Sequence, residues 1–430
     1  MVRKHYFHET TRGKTDRIVC LSNIYILFLS INFSIRNKWL VIGFIILLRQ
    51  KFNPLLNPEK MTLKQCVSAS EGMKTKELDV LSYQKVNATF RRRMICRIGI
   101  VCGFFVEINF LLNAMLYCLA HHIKFQLYSE YANFSTGEGW TEFFQPFCDE
   151  VHESFHQQYN FHRLPSLYHI LRSCIRQKSF GLLIWKLKSG LKTWKGRLIA
   201  FVKYKEYVLF AQDVPEYPEK HYNNPELGIK GSYIEAYGIL ARMIWKFQPE
   251  MLRRKIQYKE KLALPPLYEG IHIRGGDKIT EARLISGKSL MGCLNPKEKS
   301  SVFVLTDDYR LYQELQDHHP DVHFSTLCQP EERGYLHKAF CKKSPQSRYD
   351  AVVRLLISVD YLLGAHSFIG SITTGPSVFI MKLRLDDALV QAVDCPKEDL
   401  ASVLSLSIDK RAAISNRNVF VYPNLDKRKR

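Results

Sequence analysis

The sequence predicts an α/β protein whose parallel sheets are covered by helices, and three observations carry that expectation. A strand, turn, helix, strand order runs from Met94 to Tyr128. Strand and helix patterns alternate again after Pro265-Pro266, and the strands of this second region run into loops of Gly, Asp, Ser and Thr. Strands that alternate with helices form parallel sheets, because each crossover helix returns the chain to start the next strand in the same direction. Ligands of such sheets bind beyond the carboxyl ends of the strands. The polar loops lie there.

Residues 1–93 read as an extension with a membrane tendency. Two apolar runs, Ile24–Ile35 and Trp39–Leu48, flank Arg36-Asn37-Lys38. Each is shorter than the ~20 residues of a spanning helix, and joining them puts two cations near mid-bilayer. They make a poor signal anchor, and Met61 offers an alternative start. The first folded region, 94–260, opens with a strand over Met94–Val101, a turn at Cys102-Gly103-Phe104, a helix over about Glu107–Ala120 and a strand over Lys124–Tyr128, a β-α-β unit.

Between Leu183 and Val202, Ile184, Leu187, Leu191, Trp194, Leu198 and Phe201 recur at helical spacing. Lys186, Lys188, Lys192, Lys195 and Lys203 are interleaved with them. This basic amphipathic helix fits peripheral contact with a membrane interface, or a solvated helix docked on its own domain. Ser232–Ile256 is also helical, with an interruption at Pro249. Leu262–Pro266 reads as a linker, since paired prolines cannot continue a helix.

The second region, 261–430, starts with a strand in which Ile271 and Ile273 alternate with His272 and Arg274, a half-buried pattern. Strands follow at Val302–Leu305, His323–Ser325 and Ser367–Gly370. Helices are expected over Tyr309–His318, Arg348–Leu363 and after Ser377.

A chain of 430 residues is too long for one small core and favours two domains. With 46% hydrophobic residues it has the apolar content of a globular protein. The net charge of +21 attracts phosphorylated ligands, nucleic acid or anionic lipid. Nucleic acid is disfavoured, because the cations are spread along the chain and form no recognisable module. Eleven cysteines stand singly with no CxxC pair, so neither a zinc site nor a disulfide framework is specified. Cys96, Cys102 and Cys118 read as buried thiols, which favours a reducing compartment. Sequons at Asn32, Asn87 and Asn133 keep a secretory location open.

Three loops at strand ends carry the chemistry. Gly275-Gly276 loosen the first, where Arg274 can grip phosphate oxygens as a planar fork and Lys278 adds a mobile charge. Asp307 and Asp308 follow the second strand, with an N-cap of the next helix as the competing role for Asp307. Ser371, Thr373 and Thr374 follow another. Cations and hydroxyls suit a diphosphate, and carboxylates suit a base edge or sugar hydroxyls. Walker and dinucleotide glycine signatures are absent, so a nucleotide-sugar site fits best.

These loops resemble those of a known superfamily: the α1,6-fucosyltransferases, core and nodulation enzymes among them, and more distantly the protein O-fucosyltransferases. The family's His-Val-Arg-Arg-Thr-Asp-Lys motif is similar to His272-Ile-Arg-Gly-Gly-Asp-Lys278. Its Ala-Thr-Asp-Asp strand end resembles Leu305-Thr-Asp-Asp308, its Cys-Gly-Tyr-Gly turn Cys102-Gly-Phe-Phe105, and its Gly-Gly-Trp segment Gly137-Glu-Gly-Trp140. Phe368-Ile-Gly370 with its following hydroxyls resembles the protein O-fucosyltransferases. The likeness spans about Met94 to Arg384, and residues 1–60 match nothing.

The resemblance implies a GT-B glycosyltransferase, α/β, with two Rossmann-like doubly wound domains facing a cleft. Residues 94–260 would shape the acceptor site and 261–430 would bind the nucleotide sugar. It also implies inverting transfer of L-fucose from GDP-fucose to a glycan acceptor, with no metal and no further cofactor. By carry-over, Arg274 and Lys278 meet the β-phosphate, and Glu281 is the general base. His272 contacts guanine; Asp277, Asp307 and Asp308 belong to the donor loops; and Ser371, Thr373 or Thr374 meets the diphosphate. Asp350 is the candidate for the helix carboxylate that reads guanine. Two departures stand out: Gly275 replaces the family's second Arg, and Glu281 sits one residue nearer the Lys. They keep open a catalytically silent nucleotide-sugar-binding protein, beside the basic nucleic-acid-binding alternative. A cytoplasmic, membrane-associated enzyme of polysaccharide biosynthesis fits the poor anchor and unpaired cysteines, with the Golgi lumen as the alternative.

Overall fold

A computed structural model describes residues 78–100, 102–161, 181–210, 213–214, 221–276, 287–294 and 300–417. Residues 75–430 form one compact unit, which holds two parallel sheets.

Helix α1 (Val80–Thr89) leads into β1 (Arg92–Arg97), which pairs in parallel with β2 (Ile123–Tyr128) on one side and β3 (Val208–Phe210) on the other. The order is β2-β1-β3. Helix α2 (Phe104–Ala120) makes the crossover and is apolar almost all round, because it packs on the sheet and on the second half of the molecule. β1 ends at Arg97 rather than Val101. Ile98 is followed by Gly99 at φ +76°, and the amides of Ile100 and Cys102 turn to donate to Glu107 Oε1 at 3.2 and 3.3 Å. That carboxylate, buried in the first turn of α2, fixes the loop and lets the helix begin at Phe104.

The free edge of β2 is covered by α1. Asn87 donates to Phe125 O at 2.8 Å and accepts from Phe125 N–H at 2.7 Å, adding a side-chain rung to the strand. This occupies Asn87 and removes it as a glycan acceptor. Asn133 is half-buried and donates to Cys102 O, and Asn32 lies outside the described residues. Cys96 and Cys118 are buried thiols, and Cys102 is half-buried.

A short helix α3 (Phe155–Tyr159) and the long α4 (Gly181–Tyr204) pack beside β3. The hairpin of β4 (His221–Asn224) and β5 (Ile229–Ser232) then leads to α5 (Tyr233–Ile244), whose start is a capping box between Ser232 and Glu235. The expected break in this helical stretch falls just before Pro249, which is the first residue of α6 (Pro249–Lys261), where its missing N–H costs nothing.

The second sheet contains β6 (Glu269–Ile273), β7 (Ser301–Thr306), β8 (His323–Ser325), β9 (Phe368–Gly370) and β10 (Val390–Ala392). All pairings are parallel, in the order β10-β9-β6-β7-β8. Its helices are α7 (Gly287–Leu294), α8 (Tyr309–His318), α9 (His337–Phe340), α10 (Pro345–Gly364), α11 (Gly375–Leu383), α12 (Leu400–Leu404) and α13 (Ile408–Arg417). β6 is not half-buried as its alternation implied: Gly270 to Ile273 are all buried, since both neighbours and both faces are occupied.

One apolar cluster runs through both halves, from α2 and α5 into α10 and α11. Its aromatic link is Trp245, 6.1 Å from Phe105 and 4.8 Å from Phe379 between ring centroids, with Nε1 donating to Asp360 Oδ1 at 3.0 Å. Among the described residues no helix is long and apolar enough to cross a membrane.

Candidate functional site

The order of the second sheet explains why distant loops meet. β9, β6 and β7 are adjacent, so the loops after Ile273, Thr306 and Gly370 emerge side by side. Chain order reverses between β6 and β9, the switch point where open α/β sheets leave a crevice for ligands.

Asp307 ties the first two loops together. Its Oδ1 accepts from Gly275 N–H at 2.7 Å and its Oδ2 from Tyr335 N–H at 2.9 Å, while Gly334 N–H donates to Asp307 O at 2.8 Å. Arg274 Nε stands 3.0 Å from Asp307 Oδ2, and the guanidinium lies 5.1 Å from the centre of the Tyr335 ring. A carboxylate below and an aromatic face beside it hold the fork in place. Gly276, at φ +61°, admits this arrangement, because a Cβ there would overlap the Tyr335 backbone.

Asp308 has a different part. It is the N-cap of α8 and accepts from Arg310 N–H at 3.1 Å, from Arg310 Nε at 2.9 Å and from its terminal nitrogen at 2.6 Å. These bonds hold its carboxyl below the usual carboxylate range. The cap of α8 is therefore Asp308, where the sequence had offered Asp307.

At the switch point His272 is buried and its Nδ1 lies 2.7 Å from Ser377 Oγ and 3.3 Å from Thr374 Oγ1. Burial, with the nearby Arg274 charge, lowers its pKa to about 3, so the ring is neutral at neutral pH. The hydroxyl loop is organised by Asp394, just after β10. Its Oδ2 accepts from Ser371 Oγ at 2.7 Å and from Ser415 Oγ at 2.7 Å, and its Oδ1 accepts from Ile372 N–H at 3.0 Å. Ser371 Oγ in turn accepts from Thr373 N–H and lies 2.7 Å from Thr373 Oγ1. Thr374 is the N-cap residue of α11, with no side-chain capping bond of its own.

The first half closes on this end of the second sheet. A Cβ on Gly375, the first residue of α11, would lie 2.8 Å from Phe105 Cβ, and one on Gly103 would be 4.0 Å from Tyr335 Oη. The amino ends of α2 and α11 thus approach each other, and such ends favour anions. Tyr335 Oη and His337 Nδ1 form a 2.8 Å hydrogen bond at the same rim.

His272, Arg274, Asp307, Ser371, Thr373 and Thr374 are gathered at the carboxyl end of the sheet, and Asp308 caps the helix beside them. Asp350 pairs with Arg254 of α6 at 3.5 Å and accepts from Gln346. The α10 residue that reaches the site loops is Arg354, bound to Glu332 at 2.7 Å. Asp277, Lys278 and Glu281 lie outside the described residues. Tyr335, Ser377 and Asp394 were not anticipated; the helix expected after Ser377 begins at Gly375, which puts Ser377 in its first turn.

No family model matches the chain, and no curated protein matches it. Among solved structures, the α1,6-fucosyltransferase NodZ from Bradyrhizobium is 13% identical, with 70% of this chain and 94% of that one covered and a TM-score of 0.39. POFUT1 in complex with GDP-fucose is 12% identical, with 68% and 94% covered and a TM-score of 0.37. Arabidopsis thaliana FUT1, as a mutant bound to GDP, is 11% identical, with 70% and 73% covered and a TM-score of 0.34.

Proposed function

We propose that the chain is an inverting, metal-independent glycosyltransferase of the GT-B type that moves L-fucose from GDP-fucose to a glycan acceptor. Residues 261–430 hold the donor and 94–260 shape the acceptor side. The observation that carries this reading is the Arg274 fork, set on Asp307 and Tyr335 at the carboxyl end of β6, the strand between β7 and β9 whose following loops carry Asp307 and the hydroxyls. Cations, hydroxyls and helix amino ends together suit a diphosphate, and the motif resemblance supports a nucleotide sugar as the donor.

In the reaction the acceptor hydroxyl loses its proton, its oxygen bonds the anomeric carbon from the face opposite GDP, and the bond to the β-phosphate oxygen breaks. Negative charge grows on the diphosphate as it leaves. Arg274, with Lys278, neutralises that charge, and preorganised groups of this kind supply about 3–4 kcal/mol each. Glu281 takes the acceptor proton. Neutral His272 braces Thr374 and Ser377 beneath the diphosphate. Asp307 and Asp308 act as loop clamp and helix cap, since their oxygens already face backbone amides and arginines.

Thermal unfolding against a panel of nucleotide sugars tests the reading, because only a bound species raises the transition. GDP and GDP-fucose should raise it while UDP-sugars do not, and Arg274→Ala should abolish the shift yet leave a folded protein by circular dichroism. An unchanged shift in that variant, or none with any guanine nucleotide, overturns the proposal. Binding without transfer or hydrolysis of GDP-fucose would make the chain a silent nucleotide-sugar binder.

A further inference from the structure

Helix α4 docks through its small residues and turns its large apolar ones outward. Its buried positions, Ser189, Thr193, Gly196 and Ala200, recur every three or four residues and form one stripe. A Cβ on Gly196 would overlap the Tyr159 side chain of α3, and Ala200 packs with Ile95, Val208 and Phe210. Close approach at Gly196 fixes which face is inward.

The opposite face carries Leu187, Leu191, Trp194, Leu198, Phe201 and Val202, with exposures from 44% at Leu187 to 70% at Val202. At helical spacing these six lie within an arc of roughly 100°. Folding has thus put small residues against the protein and left a continuous apolar stripe in water, the reverse of an ordinary surface helix.

We propose that this stripe seats α4 in the surface of an anionic lipid bilayer. Charge decides the occupant. Lysines at 188, 192 and 195 border one edge of the arc, Lys186 lies beyond the other, Arg197 is paired with Asp213, and no acidic residue occurs between Gly181 and Tyr204. In a membrane interface the apolar side chains enter the upper acyl region while lysine stems reach up to the phosphates. A second copy seated on the same stripe would bring two rows of like charge together, which is costly. The stripe rises about 22 Å along the helix axis, and lying flat it gives the chain a peripheral contact. This inference stands independently of the proposed reaction.

The test is co-sedimentation of the full chain with vesicles of phosphatidylcholine mixed with phosphatidylglycerol, against phosphatidylcholine alone. The chain should pellet with the mixed vesicles, less so at high salt. Lys188→Gln with Lys192→Gln should weaken partitioning about tenfold or more, as each lysine near the surface contributes about fivefold. Leu191→Gln with Trp194→Gln should weaken it at least as much. All four side chains are exposed, so unchanged thermal unfolding confirms that the variants are folded. Failure to pellet with mixed vesicles overturns the proposal. So does wild-type pelleting by both double variants, which would place the lipid contact elsewhere. A dimer by light scattering that Leu191→Gln with Trp194→Gln dissociates, without vesicle binding, assigns the stripe to a second copy and overturns it as well.

Discussion

At Asp307 one carboxylate accepts from the amides of two loops and pairs with Arg274, while Asp308, one residue on, serves its own helix. Removing the two side chains should have different consequences. Asp308→Ala loses a cap and should cost about 1 kcal/mol, with ligand-induced stabilisation retained. Asp307→Ala removes the carboxylate that two part-buried amides donate to and that stands beside Arg274, so denaturant unfolding should show a loss of about 2–4 kcal/mol and the nucleotide shift should vanish. Equal losses in both variants would contradict this division. His272 and Arg274 were legible because a strand that runs straight into Gly-Gly must present its last side chains at the sheet's end. Which aspartate caps and which clamps was not legible, since adjacent residues differ only in which way a loop turns them.

Elements long enough to show a period were recovered closely. α8 falls at the bounds read from the pattern, and α10 runs Pro345–Gly364 against an expected Arg348–Leu363. The three-residue β3 and β10 and the five-residue α12 are too short for a pattern. Asp394 was hidden for the same reason: it follows one of those short strands, 23 residues from the Ser371 it holds. It joins three elements, accepting from Ser371 and Ile372 in the hydroxyl loop and from Ser415 on α13. Asp394→Ala should therefore loosen the loop and the C-terminal helix together, seen as faster amide exchange at both 371–374 and α13 and a loss of about 2–4 kcal/mol. Faster exchange at the loop alone would mean that α13 is held by its other contacts.

Among the described residues two histidines are buried as neutral rings, one in each half. His156 sits beneath α4 with Nε2 3.2 Å from Tyr204 Oη, and burial lowers its pKa to about 4. His272 lies under the hydroxyl loop, lowered to about 3. In the unfolded chain both titrate near 6.5. Below that value the unfolded state binds protons that the native state refuses, so stability is lost as pH falls from about 6.5 toward 4. One pH unit below 6.5 each ring costs about 1.4 kcal/mol, or about 3 kcal/mol for the pair. Denaturant titrations between neutral pH and pH about 5.5 should show this decline, and His156→Leu should remove about half of its slope whatever it does to stability at neutral pH. The apolar cluster continues from α2 and α5 into α10 and α11, so protons taken up in either half should unfold both. The decline should appear as one cooperative transition moving down with pH, whereas two separating transitions would show that the shared core does not couple the sheets.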